Sequence, residues 1–170
     1  MRCYVLMGVS GCGKSSVGVA LSVMCGMTFI DGDDLHPQSN IEKMSRGEPL
    51  NDKDRAPWLA DVGRVLAKGS KPVVIGCSAL KKKYRNIIRS KVPEPVHFLH
   101  LDAPQAVLAR RVARRVAGRG GHFMPTALLD SQFETLEHLQ KDEWGGQIDI
   151  AQAYPDVIAQ AETYVKETMI

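Results

Sequence analysis

Short apolar runs alternate along the chain with longer segments in which apolar residues recur at helical spacing. The runs predict five strands, at residues 3–7, 27–30, 73–77, 96–101 and 147–151. Between them, helical spacing predicts helices with one buried face, which in the first helix comprises Val17, Ala20, Leu21 and Met24. Alternating strands and helices are typical of βαβ units, so the sequence predicts a three-layer α/β fold, a five-stranded parallel sheet with helices on both faces.

Residues that cap or break helices predict where each helix begins and ends. Gly26 is expected to end the first helix, and Pro155 to begin the last. The helix starts predicted between them are Ser39, Asn51 or Asp52, Ser78, Ala103 and Pro125. The helical stretch at about 34–69 is predicted to form a substrate arm, and the glycine-rich stretch at about 116–126 to form a mobile lid.

Composition restricts the class of protein further. A chain of 170 residues with 44% hydrophobic and 24% charged residues predicts one domain, residues 1–170, with a sizeable core. A net charge of +3 does not indicate a nucleic-acid partner, and no apolar run approaches the ~20 residues of a membrane span. The first predicted strand leaves no space for a targeting segment, so we expect a cytoplasmic protein with reduced cysteines.

Residues 8–15 read Gly-Val-Ser-Gly-Cys-Gly-Lys-Ser and lie between a predicted strand and a predicted helix. This is the G-x-x-x-x-G-K-S spacing of a phosphate-binding P-loop, in which glycines let backbone N–H groups surround the phosphates. Lys14 is expected to reach the β- and γ-phosphates of ATP, and the Ser15 hydroxyl to bind Mg²⁺. The predicted nucleotide-binding residues are Gly8, Val9, Ser10, Gly11, Cys12, Gly13, Lys14, Ser15 and Ser16.

A P-loop identifies a nucleotide but not a reaction, so other residues must separate a switch, a motor and a kinase. A GTPase switch would need an N-K-x-D motif after a late strand, whereas residues 51–54 read Asn-Asp-Lys-Asp within the helical stretch. A motor ATPase would have an acidic residue at the end of the third strand, where this chain has Cys77 and Ser78. These differences favour a small-molecule kinase.

A kinase needs a carboxylate near the acceptor hydroxyl and cations around the phosphoryl group. Asp31 and Asp33 follow the second predicted strand, at the edge of the sheet where α/β folds bind ligands. Asp33 is the predicted catalytic base, its alternative being a helix cap, and Asp31 is predicted to hold Mg²⁺ through water. Arg119 lies between glycines and is the predicted lid arginine, which with Lys14 and Asp33 completes the predicted catalytic set.

Several separate blocks of sequence resemble the gluconokinase family, in the family's order and over roughly residues 4–168. The blocks are DGDDLHP at 31–37, NIEKM at 40–44, GEPLND at 47–52, DRAPWL at 54–59, CSALKKKYR at 77–85, GHFM at 121–124 and SQFETLE at 131–137. The resemblance implies ATP-dependent phosphorylation of D-gluconate to 6-phospho-D-gluconate, which feeds the pentose phosphate pathway. It also implies a fold like that of nucleoside monophosphate kinases, and a homodimer.

Gluconate is a linear polyol with one carboxylate, so its pocket needs hydrogen-bonding groups and a cation. The candidate substrate-binding residues are Asp33, His36, Arg55, Lys82, Arg85, His122 and Gln132. The sequence leaves open which cation meets the carboxylate, and whether His36 and His122 are instead local loop anchors. The other histidines are expected to be structural or exposed to solvent.

Two further alternatives stay open at this point. In the family's pattern, the lid arginines precede Gly-His-Phe more closely than here, so both Arg115 and Arg119 are candidates for the lid arginine. A sibling kinase of the same fold could act on shikimate, a nucleoside or a nucleic-acid end. The basic stretch at 110–115 would suit a nucleic-acid end, but an aromatic content of 6% offers few stacking residues.

Overall fold

The computed structural model describes residues 2–118 and 126–169, with only the backbone described for residues 115–118, 126 and 127. The strands are β1 Cys3–Met7, β2 Thr28–Asp31, β3 Val73–Gly76, β4 Val96–Asp102 and β5 Gly145–Asp149. The helices are α1 Lys14–Cys25, α2 Gln38–Ser45, α3 Asp52–Lys68, α4 Lys82–Arg89, α5 Gln105–Gly118, α6 Thr126–Thr135 and α7 Tyr154–Thr168, and a 3₁₀ turn covers Gly32–Leu35.

The five strands form one parallel sheet in the order β2-β3-β1-β4-β5, which confirms the predicted α/β fold. The central strand β1 pairs with β3 on one side and with β4 on the other. Gly76 at the end of β3 is in register with Leu6 of β1 and with Asp31 of β2. Because all strands run the same way, the loops that follow β1, β2 and β3 meet at one edge of the sheet.

Both faces of the sheet are covered by helices, so β1 is buried along its whole length. Tyr4 and Leu6 belong to one hydrophobic core, together with residues of α1 and α7. Val5 and Met7 point to the opposite face and pack with residues of α3 and α4. This explains why β1 reads as a continuous apolar run rather than as an alternating pattern.

Several predicted boundaries are confirmed. Gly26 follows α1 in the left-handed conformation, with φ of 63°. The Asn51 side chain accepts a hydrogen bond from Asp54 N, and the Asp54 carboxylate accepts one from Asn51 N, so a capping box begins α3. None of the helices that the structure describes is long and apolar enough to span a membrane.

Two predicted helix caps are wrong. Ser39 lies inside α2, whose N-cap is Pro37. Ser78 does not begin a helix, because Ala79 takes a left-handed conformation with φ of 44° and α4 starts only at Lys82. The segment after β3 therefore stays irregular where it passes the P-loop.

The predicted buried face of α1 is partly wrong. Met24 is 45% exposed, while Val17, Gly18 and Leu21 are buried. At Gly18 the helix approaches β2 closely, since a Cβ there would lie 2.2 Å from Cε2 of Phe29. Lacking a side chain, Gly18 lets the aromatic ring of Phe29 in β2 pack directly on the helix, so the buried face of α1 includes Gly18.

Candidate active site

The loop between β1 and α1, residues 8–13, has the conformation that a P-loop requires. Gly11 and Gly13 have φ of 82° and 98°, a left-handed backbone that residues with a Cβ rarely adopt. Gly8 N donates to Ser78 O over 3.2 Å, which ties the loop to the segment after β3. A Cβ on Gly8 would lie 2.8 Å from Leu101 O, so the loop also packs closely against the end of β4.

The first turn of α1 carries no side-chain cap, because its N-cap is Gly13. Its leading N–H groups therefore stay available to an anion. The Lys14 Nζ atom donates to Gly8 O and to Val9 O, both over 3.0 Å, so the ammonium group lies over the loop. An uncapped helix terminus beside a lysine fits the phosphate chain of a nucleotide, and Ser15 is exposed at the same helix end.

Gln132 of α6 binds the P-loop through two hydrogen bonds. Its Oε1 atom accepts from Ser10 N over 2.6 Å, and its Nε2 atom donates to Ser10 Oγ over 2.9 Å. The sequence placed Gln132 among the substrate-binding candidates, but gave no signal of this contact across 122 residues. The position of α6 is therefore coupled directly to the phosphate-binding loop.

A cavity of about 340 Å³ opens beside the P-loop. Its polar lining includes Ser16, Arg111, Arg114, Gln152 and Tyr154. The Tyr154 hydroxyl donates to Ser16 O over 3.2 Å, which joins the start of α7 to the start of α1. The sequence did not reveal this cavity, because its arginines on α5 were not distinguishable from solvated charges.

Asp31 and Asp33 take different positions after β2. The Asp31 Oδ1 atom accepts from Asp33 N over 3.0 Å and so caps the 3₁₀ turn Gly32–Leu35. The Asp33 side chain is 82% exposed and caps no helix, so the helix-cap alternative for Asp33 is wrong. Its carboxylate remains available for a ligand.

Charged side chains near Asp33 affect the pKa of its carboxyl group. Desolvation, and then the negative charge of Asp31, raise the pKa of Asp33 above the ordinary value for aspartate. The positive charges of Lys14 and His36 oppose this rise. Because most of the side chain is exposed, water limits the shift. The carboxylate thus lies within the electrostatic reach of the P-loop lysine.

His36 is held in one orientation on the Asp33 side of the sheet. Its ring stacks on Trp58, with 4.0 Å between ring centroids, and Trp58 Nε1 donates to Gly32 O over 2.8 Å. The Asn40 amide donates one hydrogen to Asp54 O over 2.9 Å and the other to His36 Nδ1 over 3.2 Å. Since Nδ1 must accept, the neutral ring carries its proton on Nε2.

The protonated nitrogen of His36 is directed towards Asp33, with 4.0 Å between Nε2 and Oδ1. Burial lowers the pKa of His36 below its ordinary value, with Asp33 opposing this shift and the Arg55 charge adding to it. The ring is therefore neutral at neutral pH. Asn40, which is 3% exposed, was not singled out from the sequence, although it fixes this tautomer.

Arg55 completes the polar group on this side of the sheet. It is half-buried near the start of α3, its guanidinium carbon lies 5.5 Å from the centre of the Tyr84 ring, and Nη1 donates to the Tyr84 hydroxyl over 3.4 Å. The hydroxyl in turn donates to Asp52 Oδ1 over 2.6 Å. Among the predicted substrate residues, Asp33, His36 and Arg55 are thus brought together.

Lys82 and Arg85 are occupied by carboxylates elsewhere. Lys82 Nζ lies 2.7 Å from Asp142 Oδ2. Arg85 is fully buried, and its Nε and Nη2 atoms donate to the two carboxylate oxygens of Glu143 over 2.8 and 2.9 Å. Its Nη1 atom donates to backbone carbonyls, including Ala79 O over 3.0 Å. Neither side chain is brought to Asp33 in this arrangement.

Arg119 and His122 lie outside the described residues, with most of the stretch at about 116–126. Arg115 belongs to α5, and only its backbone is described.

Comparisons with known proteins agree with this geometry. A family model described as an AAA domain matches residues 4–139. The chain is 50% identical over 143 residues to the thermosensitive gluconokinase of Escherichia coli, covering 82% of this chain and 74% of that relative. It is 44% identical over 162 residues to the gluconokinase of Gluconobacter oxydans, covering 94% and 88% of the two chains.

A solved structure agrees as well. The crystal structure of a gluconokinase from Sinorhizobium meliloti superposes with a TM-score of 0.86 at 45% identity. That match covers 98% of this chain and 92% of the other.

Proposed function

This chain belongs to the gluconokinase family, and on that premise we propose that it transfers the γ-phosphoryl group of ATP to D-gluconate, giving ADP and 6-phospho-D-gluconate. The observation that carries the proposal is the exposed Asp33 carboxylate, which follows β2 at the same edge of the sheet as the P-loop and Lys14 that follow β1. A base for the acceptor and a cation for the phosphates thereby lie at one edge of the sheet, as phosphoryl transfer requires.

The nucleotide occupies the P-loop and the cavity beside it. Lys14 and the uncapped start of α1 hold the phosphates, and the 340 Å³ cavity takes the adenosine part. Tyr154 and Arg111 offer flat surfaces for the base there. Ser15 and, through water, Asp31 would hold Mg²⁺, which supplies positive charge to the phosphate oxygens when it is bound.

D-Gluconate lies between Asp33 and Arg55. Arg55 meets the carboxylate of the acceptor, because Lys82 and Arg85 are already paired with Asp142 and Glu143. His36 donates from Nε2 to an oxygen of the acceptor or to Asp33, since its other ring nitrogen is occupied by Asn40.

Asp33 orients the primary hydroxyl of the acceptor and takes its proton as the phosphoryl group is transferred. The transition state of this reaction is loose, so the proton leaves late and the carboxylate contributes mainly by positioning. Arg119 would cover the phosphoryl group from the stretch at about 116–126, which closes as a lid and excludes water. We also propose that the protein is a cytoplasmic homodimer and that it binds neither a membrane nor a nucleic acid.

The direct test is an assay of ADP release with gluconate, shikimate, a nucleoside and a 5′-hydroxyl oligonucleotide as acceptors. We expect turnover with gluconate at a rate at least about a hundredfold above the others, because a polar pocket discriminates strongly against acceptors that leave its groups unpaired. The inactive control is Lys14→Ala, which removes the ammonium group that contacts the phosphates. Faster turnover of another acceptor would overturn the proposal.

The assignment of the base has its own test. Asp33→Asn keeps the size of the side chain but removes its charge, so kcat should fall roughly 10²-fold or more while ATP affinity holds. Asp31→Asn should instead weaken the response to Mg²⁺. If Asp33→Asn stays within a few-fold of the parent while Asp31→Asn is inactive at every Mg²⁺ concentration, the two roles are reversed.

A further inference from the structure

Three side chains that can bind a metal ion meet at the end of β4. His100 and Asp102 are two residues apart on this strand, so they point to the same face of the sheet. His138 reaches them from the segment between α6 and β5. One ring nitrogen from each histidine and one oxygen of Asp102 all lie within 4.8 Å of one another.

We propose that His100, Asp102 and His138 bind one transition-metal ion of the Zn²⁺ class, at a site separate from the Mg²⁺ position at Ser15 and Asp31. Two imidazole nitrogens and one carboxylate oxygen are ligands that suit Zn²⁺, Co²⁺ or Ni²⁺, whereas Mg²⁺ prefers oxygen ligands alone. Three protein ligands leave a fourth position of a tetrahedral ion for water.

The distances within the cluster fit an ion better than they fit hydrogen bonds. His100 Nε2 lies 3.8 Å from Asp102 Oδ1, and His138 Nδ1 lies 4.0 Å from Asp102 Oδ2. Both separations are too long for a hydrogen bond. Ligand atoms about 2.0–2.1 Å from a tetrahedral Zn²⁺ lie about 3.3 Å apart. The two distances to Asp102 exceed this value by less than 1 Å, and the His138 side chain, which is 64% exposed, has room to turn towards an ion.

The surroundings of the cluster also resemble those of a metal site. Gln147 Nε2 donates to Asp102 Oδ2 over 2.8 Å and so orients the carboxylate, as outer partners of metal ligands do. His100 is 2% exposed, so its ring is enclosed by protein, and such burial around a metal site controls its access to solvent.

The ion would connect β4 to the segment that follows α6. That segment already contacts the connection between β3 and α4. Glu137 N donates to Leu80 O over 2.8 Å, and the Glu137 carboxylate accepts from Lys82 N over 2.8 Å. The helix before it contacts the P-loop through Gln132. Metal binding at His138 would therefore hold α6 in place and stabilise the folded protein.

The test titrates the metal-free full chain with Zn²⁺, and separately with Co²⁺, in excess Mg²⁺ and without nucleotide. Calorimetry should give one equivalent of Zn²⁺ bound with micromolar or tighter affinity, and the melting temperature should rise with Zn²⁺ concentration. The visible spectrum of bound Co²⁺ should indicate nitrogen and oxygen ligands without a thiolate charge-transfer band.

Variants identify the ligands. His138→Ala changes an exposed side chain and should fold normally, and it should weaken Zn²⁺ binding at least tenfold, as should Asp102→Asn. The matched control is Asp149→Asn. Asp149 of β5 is in register with Asp102 of β4 but lies outside the cluster. Control and parent should bind Zn²⁺ equally.

Three results would overturn the proposal: no stoichiometric binding by the parent, equal losses in Asp102→Asn and Asp149→Asn, or a thiolate spectrum with Co²⁺. None of these measurements depends on the acceptor that the kinase uses.

Discussion

Replacing Glu143 by glutamine should lower the free energy of unfolding by about 3–5 kcal/mol, because it leaves the Arg85 guanidinium buried without its counter-charge. Both side chains are fully buried and joined by two parallel hydrogen bonds. Glu143 Oε1 also accepts from Arg89 Nη1 over 2.9 Å, and Oε2 from Gln140 N over 3.0 Å. The carboxylate thus neutralises Arg85 and fixes the segment after α6.

The pKa of Glu143 gives a second measure of the same interaction. Burial alone would raise this pKa, but the hydrogen bonds from Arg85, Gln140 and Arg89 lower it from an ordinary value of 4.5 to about 2. At about 1.4 kcal/mol for each unit, this shift corresponds to no more than about 3–4 kcal/mol. Because the folded-state pKa is depressed, the contribution is complete above pH 4.5 and is lost as the pH falls towards 2.

Urea denaturation at pH 7 measures the loss. The matched control is Glu162→Gln on α7, which removes the same charge from a pair with the exposed Lys166 and should cost little. The double variant Arg85→Met with Glu143→Leu removes both buried charges and should recover part of the stability.

If Glu143→Gln is no less stable than Glu162→Gln, the buried pair does not contribute as argued. If an Arg85 variant keeps its stability but raises KM for gluconate, Arg85 is a substrate ligand as the sequence first indicated.

Two further predictions concern hydrogen bonds in the site. Asn40→Asp places a carboxylate against His36 and should raise the pKa of the ring, so the acidic limb of the kcat profile should shift to higher pH; an unchanged profile would contradict the tautomer assigned to His36. Gln132→Glu keeps the shape of the contact with Ser10 but adds negative charge beside the phosphates. It should weaken ATP binding at least about tenfold in a titration, and unaltered affinity would show that Gln132 lies away from bound phosphate.

The sequence predicts well those features that depend on neighbouring residues. The P-loop, the end of α1 at Gly26 and the start of α3 at Asn51 or Asp52 each follow from a few adjacent positions, and the structure confirms them. Ser78 failed as a predicted cap because the left-handed Ala79 leads the chain past the P-loop before α4 begins. Such a conformation at a residue other than glycine has no clear signal in sequence.

The candidate site is less predictable, since its contacts join distant parts of the chain. Arg85 looked like a substrate ligand because its partner Glu143 lies 58 residues later. Arg111 does not stand out within the basic stretch at 110–115, because the cavity that it lines is formed only when α5 packs beside the P-loop. Asn40 has no chemistry of its own that would single it out. Its importance comes from His36, one helical turn earlier, and from Asp54 on another helix.

The central position of β1 bears on how a kinase of this kind can acquire a new acceptor. Asp33, His36 and Arg55 belong to the segment from β2 to α3, and β2 lies on one side of β1. The cavity beside the P-loop lies on the other side, where α5 and α7 contribute to its lining. Evolution, or an engineer, can therefore vary the polar residues within 32–55 as a replaceable module while the ATP-binding half and the buried face of α3 remain intact. In a library randomised within that module, folded and ATP-binding members should be far more frequent than members that still accept gluconate.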